Sequence, residues 1–291
     1  IHAQDVGSGA DGISPLRSVI DLGTGSFITT ISPADESRGV VLGTSSSFTA
    51  KELTINSSGG ASVVAGIYSI PPASGPAIIQ LDNSKITAKE SRDTTYGIAA
   101  LNTAVTLNSV EISAGGEKVV VGLYTIAGTA AQLKNIKINA ASDIGESFGM
   151  VAVSSSSVDI TGDTEISAVT AINAEGRGSN APTVTGNGKM LINGSILSFT
   201  GADVDLSMTA GSVFTGDTQY DTGISVLQLD IDGLGSKWLM TKDSALSSLT
   251  LTNGAEVYLS DEKNLTARQT LTIDKDYHGN GGRIIFNGVL S

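Results

Sequence analysis

Gly39-Val-Val-Leu42, Gly66-Ile-Tyr-Ser-Ile70, Gly97-Ile-Ala-Ala-Leu101, Gly122-Leu-Tyr-Thr-Ile126 and Gly149-Met-Val-Ala-Val153 recur along the first half of the chain. The glycines are spaced by 27, 31, 25 and 27 residues. Between them a second phrase recurs, apolar at alternate positions: Leu53-Thr-Ile55, Ile86-Thr87, Val110-Glu-Ile112, Ile136-Lys-Ile138 and Ile166-Ser167. A third set comprises Ile79-Gln-Leu81, Val105-Thr-Leu107 and Val158-Asp-Ile160. Each repeat therefore holds about three short strands joined by Gly, Asn, Ser and Asp turn residues. Strands this short cannot bury an apolar face alone. Stacked coil on coil, each pairs with its equivalent and closes a continuous interior.

The apolar period is 2 rather than 3.6, which excludes helical repeats. The Leu-x-x-Leu-x-Leu pattern of leucine-rich repeats is missing. A β-sandwich alternates in the same way but does not explain the glycine phrase. The expectation is an all-β, right-handed, three-stranded parallel β-helix. The beat continues through Val204-Asp-Leu206, Val226 to Ile231, Leu249-Thr-Leu251 and Ile284-Ile-Phe286. About eleven coils, each rising ~4.8 Å, give a rod of roughly 50 Å. Glu175 to Lys189 is the most loop-like stretch and is expected to protrude or to bend the rod.

Composition narrows function. Lys and Arg total 17 against 29 Asp and Glu, a net charge of −12. Clustered cations for phosphate are lacking, so nucleic acid and anionic membranes are disfavoured as partners. No apolar run approaches the ~20 residues of a membrane-spanning helix. Cysteine is absent and the two histidines, His2 and His278, stand at opposite ends. Disulfides, thiolate metal sites and thiol catalysis are thereby excluded. Ile1-His2-Ala3 is compatible with the residues around a signal-peptidase cut.

One segment carries a family resemblance. Trp238, Thr241, Asp243, Ser244, Leu249-Thr-Leu251, Tyr277, Gly279-Asn-Gly281-Gly282 and Val289-Leu290 fall in order over about 55 residues. This phrase resembles the pertactin-like, autochaperone region at the end of monomeric (type V) bacterial autotransporter passenger domains, adhesin type. His278 departs from the small polar residue usual there. The resemblance implies export, folding at the cell surface on the extracellular side of the outer membrane, and attachment to an outer-membrane β-barrel translocator, with release from it possible. It divides the chain into β-helix rungs over 1–233 and autochaperone-like rungs with a cap over 234–291, in one continuous solenoid. Trp238, Tyr277, Gly279, Gly281 and Gly282 are its folding and cap residues. Asn280-Gly281-Gly282 reads as a tight turn with positive φ, closing the stack with an antiparallel hairpin into which Trp238 packs.

Catalytic signatures are missing. Gly162-Asp-Thr164 and Gly216-Asp-Thr218 lack a nucleophilic serine, no Gly-x-Ser-x-Gly elbow feeds a helix, and no glycine-rich loop precedes a helical pattern. A polysaccharide lyase or hydrolase is the enzymatic alternative, since such enzymes set paired carboxylates on an outward β-helix face. The carboxylates here are Asp203 and Asp205, Asp230 and Asp232, and Glu256 beside Tyr258. Each pair flanks an apolar residue, Val204, Ile231 or Val257, at offsets of 27 and 26. If those three point inward, Asp203, Asp230 and Glu256 form one outward column and Asp205, Asp232 and Tyr258 the next. Such columns are solvated, or bind a glycan or matrix protein, with Ca²⁺ as the one cofactor the ladder suggests. Glu111, Lys137 and Glu165 form an alternating charge column. Tyr68 and Tyr124 are equivalent, but Ala99 stands between them and breaks an aromatic ladder. The functional expectation is a non-enzymatic surface adhesin contacting host or matrix glycans or proteins. Self-association through Ser, Thr, Asn and Asp ladders, leading to aggregation and biofilm, is the alternative.

Overall fold

The computed structural model describes residues 1–4, 9–14, 16–33, 35–70, 75–259 and 269–285. Among them there are thirty strands, from His2–Gln4 to Arg283–Ile285, and no helix. The strands stack into a β-solenoid in which every named strand pair is parallel. One sheet has eleven strands, from Val19–Thr24 to Leu271–Asn280. The other has nineteen, in two runs of pairings that the chain visits in turn. One run includes Thr54–Ser58, Lys85–Ser91, Glu111–Gly116 and Lys137–Ser142. The other carries the glycine phrase, in Glu36–Leu42, Val63–Ser69, Thr94–Leu101, Val119–Ile126 and Glu146–Val153.

Period-2 alternation turns every second side chain inward, and parallel pairing in register stacks like on like. Ile28, Ile55, Ile86, Ile112, Ile138, Ile166 and Ile192 form one buried column. Phe214, Trp238, Val257 and Ile284 continue it. Leu81, Leu107, Leu133 and Ile160 form another on the eleven-stranded sheet.

The glycines serve this isoleucine column. A Cβ on Gly66 or Gly97 would fall within the van der Waals envelope of the Ile86 or Ile112 Cγ2. It would also stand 2.7 or 2.5 Å from the carbonyl oxygen of the next glycine. Gly122 and Gly149 meet Ile138 and Ile166 in the same way. The recurrent phrase is thus a packing device in which a bare backbone admits the isoleucine of the following coil. At the corners, buried hydroxyls accept backbone N–H groups that the ladders leave over. Ser84 takes Leu53 N at 3.1 Å, Ser69 takes Leu101 N at 2.7 Å, and Ser247 takes Leu227 N at 3.0 Å.

Three expectations need correction. Gly281 does have a positive φ of 77°, yet the strands it joins form no antiparallel hairpin. Leu271–Asn280 pairs in parallel with Ser244–Thr252, and Arg283–Ile285 pairs in parallel with Glu256–Tyr258. The turn therefore carries the chain from one sheet to the other, as at earlier corners. Trp238 does not sit in a terminal lid. It is fully buried in the isoleucine column, stacked on Phe214 at 5.3 Å, with Nε1–H donating to Gly216 O at 3.0 Å. The loop-like stretch after Glu175 contains the strand Thr183–Gly188, paired on both sides. Only the short segment around the Arg177–Asn180 bridge leaves the stack. Tyr277 is half exposed opposite Leu249, and Val289-Leu290 lie outside the described residues.

Replacing Gly97 by Ala should destabilise the fold by about 1–3 kcal/mol through overpacking. Gly115→Ala, whose Cβ would meet nothing nearer than 3.9 Å, should stay within about 0.5 kcal/mol of the parent. Chemical denaturation of the two variants checks this; equal losses would show that the glycine phrase is not an interlock.

Candidate binding surface

In a parallel solenoid the outward side chains also align in columns, one residue per coil. On the eleven-stranded sheet one column runs Thr49, Gln80, Thr106, Gln132, Asp159, Thr185, Asp205, Gln228, Ser248 and Asp276. The neighbouring column runs Asp82, Asn108, Lys134, Thr161, Asn187, Ser207, Asp230, Thr250 and His278. Nearly every member is a short hydroxyl, amide or carboxylate. Some pair along the column: Asn108 Nδ2 donates to Asp82 at 2.7 Å and Thr185 Oγ1 to Asp159 at 3.1 Å. This sheet offers a regular lattice of donors and acceptors.

The acidic residues named from the sequence occupy this region in a different register. Asp203 stands opposite Val226, Asp205 opposite Gln228, and Asp230 opposite Ser207 and Thr250. Asp232 faces Thr252. Glu256 and Tyr258 lie on the other sheet, opposite Lys237 and Leu239. The two columns expected from the offsets therefore do not exist. From Asp203 to its partner Val226 the coil is 23 residues long, four shorter than the expected offset. An even slip leaves inward and outward faces unchanged, so apolar alternation does not detect it.

What the structure does bring together is Asp203, Asp205 and Asp230, on adjacent strands. Burial, and then the charges of Asp230 and Asp203, push the Asp205 carboxyl above its ordinary range. Asp203 Oδ1 is buried without a hydrogen-bond partner. Asp232 behaves oppositely. Thr252 Oγ1 and Asn253 Nδ2 each donate to its Oδ1 at 2.6 Å and hold its carboxyl low. Glu256 is likewise held low, by the Tyr258 hydroxyl at 2.6 Å and by Arg283. Among the described residues no group of three His, Cys, Asp or Glu side chains is arranged to hold a metal ion.

The column Glu111, Lys137 and Glu165 stands as expected and begins one coil earlier, at Lys85. Lys85 pairs with Glu111 at 3.3 Å and Lys137 with Glu165 at 3.0 Å. These exposed pairs contribute at most about 1 kcal/mol each and serve register.

The glycine-bearing strands present a different surface. Ala99 does separate Tyr68 from Tyr124 in its column, but Tyr96 fills the gap from the column beside it. Its ring centroid lies 6.3 Å from that of Tyr68 and 5.7 Å from that of Tyr124. The aromatic series is therefore continuous. Val121 stands next to Tyr96 and Val151 next to Tyr124 in these same columns, and with Val153, Phe148 and Ile126 they continue the apolar face along the rod. Burial raises the phenol pKa of Tyr96 and Tyr124. A scan of single columns misses this arrangement, because contacts between outward columns depend on rotamers. The usable signal was Tyr96 immediately before its glycine and the other two tyrosines two places after theirs.

Comparisons with known proteins agree with the family resemblance. The chain is 27% identical over 215 residues, 67% of its length, to the Escherichia coli K12 protein named "Probable autotransporter YcgV". It is also 27% identical over 209 residues, 65% of its length, to YcgV of Escherichia coli O157:H7. It spans 22% and 37% of these relatives' own lengths. No family model and no solved structure matches it. The similarity and the β-solenoid together fit an autotransporter passenger domain.

The raised Asp205 carboxyl makes a pH-dependent prediction. A folded-state pKa above the ordinary 3.8 favours the folded chain while the group is protonated, and that contribution is lost as pH rises through the folded pKa. Asp205→Asn should therefore raise the thermal midpoint at pH 7 and leave it unchanged at about pH 3. A variant that melts lower than the parent at pH 7 would contradict this assignment.

Proposed function

We propose that this chain is a rung-stacked part of an autotransporter passenger, displayed at the bacterial cell surface, that makes polyvalent, non-catalytic contact with glycans or matrix proteins. The similarity to a protein named as an autotransporter supports a location at the outer membrane or cell surface, with a barrel translocator as its attachment. The observation that carries the contact reading is the paired polar columns of the eleven-stranded sheet. There Gln, Thr, Asn, Ser and Asp repeat from coil to coil, about 4.8 Å apart.

A spacing of that kind suits a long repeating partner. Each short polar side chain offers one or two hydrogen bonds, worth little singly against water. Repeated along a polymer held at high effective concentration, many weak contacts combine into substantial avidity. Net charge of −12 sets a preference for neutral or cationic stretches of partner and steers polyanions away. An enzymatic reading as a hydrolase needs two carboxyl groups around one bond, one of them protonated as the general acid, and a lyase acting on uronates needs a cation beside the carboxylate it neutralises. Among the described residues Asp203, Asp205 and Asp230 form no ion pair, so no cation stands beside them to neutralise a uronate, whereas Asp232 and Glu256 are already committed to local donors.

Arrays of glycans and matrix proteins, probed with the purified chain, test this reading. Replacing Thr106, Gln132 and Asp159 together by Ala should lower apparent avidity by roughly tenfold or more while the fold, followed by circular dichroism, persists. Undiminished binding would remove the polar columns from the account, and release of reducing ends from uronic-acid polymers would replace it with catalysis.

A further inference from the structure

The tyrosine series on the glycine-bearing strands has a chemistry unlike that of the polar lattice. Tyr68, Tyr96 and Tyr124 are each half-buried, so their rings lie against the rod while part of each stays open to solvent. Among the described residues none of the three hydroxyls has a hydrogen-bond partner. Successive ring centroids stand 6.3 and 5.7 Å apart, one ring per coil. The series therefore advances along the rod with the coil rise of ~4.8 Å, zigzagging between two columns.

Charges around the series nearly cancel, with three cations against four carboxylates. The Arg38 guanidinium lies 6.0 Å from the Tyr68 ring centroid and is itself paired with Asp11 and Glu36, at 2.9 Å each. Lys118 pairs with Asp93, at 3.2 Å, beside Tyr96. Glu175 and Arg177, of opposite sign, both act on Tyr124. A ligand for this surface needs apolar faces for the rings, hydroxyls for the phenols and no net charge.

We propose that Tyr68, Tyr96 and Tyr124 form a binding track for an extended, neutral hexopyranose chain lying along the rod, one sugar ring to each tyrosine. A pyranose has an apolar C–H face and a rim of hydroxyls, and in an extended chain its repeat is close to one coil rise. The rings supply stacking area with little conformational freedom to lose, and the unpartnered phenols supply hydrogen bonds. This deepens the contact reading above and rests on its glycan branch, while placing the grip on the opposite kind of surface from the polar columns.

The probes are soluble cellohexaose, maltohexaose and chitohexaose, titrated into the whole chain to about 10 mM, a range that captures weak binding. Tyrosine resonances are followed by NMR. At least one probe should give saturable shifts at all three tyrosines. Tyr96→Ala should weaken binding by roughly tenfold, and Tyr96→Phe, which keeps the ring, should retain most of it. Should Tyr96→Ala perturb the fold, Tyr124→Ala and the binding of the parent at its own tyrosine resonances still decide. No saturable shift with any probe overturns the track. So does binding that survives Tyr96→Ala but is lost in the Thr106, Gln132 and Asp159 variant, a result that leaves the polar-column reading intact. Binding restricted to hyaluronan or heparin overturns the neutrality on which the track depends. Concentration-dependent dimerisation blocked by Tyr96→Ala, without sugar binding, assigns the face to a second copy instead.

Discussion

The structure depends on one steric relation, the seating of an isoleucine Cγ2 methyl against the bare backbone of the preceding coil's glycine. Gly39, Gly66, Gly97, Gly122 and Gly149 each face the isoleucine of the next coil, Ile55, Ile86, Ile112, Ile138 and Ile166. A side chain on any of these glycines would push the isoleucine column away from the wall and separate strands whose ladders require a spacing of 4.7–4.9 Å or so. Hydrogen bonding in the ladders, burial of the leucine column and the corner hydroxyls all presuppose that spacing. At Ala171, where the glycine series gives way, the strand Thr164–Glu175 shows register shifts against Met190–Phe199.

With the interior so constrained, the outward faces are free to differ, and they do. One sheet shows polar columns that stand in water. Alternating Lys and Glu along a second run keep neighbouring coils in step. The glycine-bearing strands carry an aromatic series that continues into a cluster of valines on the same face. A solenoid separates these tasks cleanly, because each outward column is independent of the inward one beside it.

The stacked, parallel, all-β architecture was legible in the glycine phrase and in the apolar pairs between the glycines, because repetition at a fixed beat has few physical explanations. The alternating charge column was legible for the same reason, its members falling at matching places in coils of nearly equal length. Legibility failed where coil length changed. Between Asp203 and Val226 the coil shortens, and Val204 pairs with Leu227 rather than Ile231. Both arrangements bury apolar residues, so only the closing of the coil decides between them. Asn280-Gly281-Gly282 had the residues of a hairpin turn, but residues that permit positive φ serve a sheet-to-sheet corner equally well. Trp238 was misplaced because its partner Phe214 lies one coil away, a relation the local resemblance does not encode. Tyr96 was overlooked because stacking across columns is a matter of side-chain direction rather than of spacing.

Because strands run across the rod, their hydrogen bonds point along it, in the direction in which tension between its two ends would act. Tension applied at one terminus opens the ladders of the outermost coil in sequence while the coils behind remain closed. Each coil released lengthens the chain by its own contour of some twenty to thirty residues, at ~3.3 Å per residue when straight. A rod built this way yields stepwise under drag, as a series of small extensible links, instead of snapping at a single peak force.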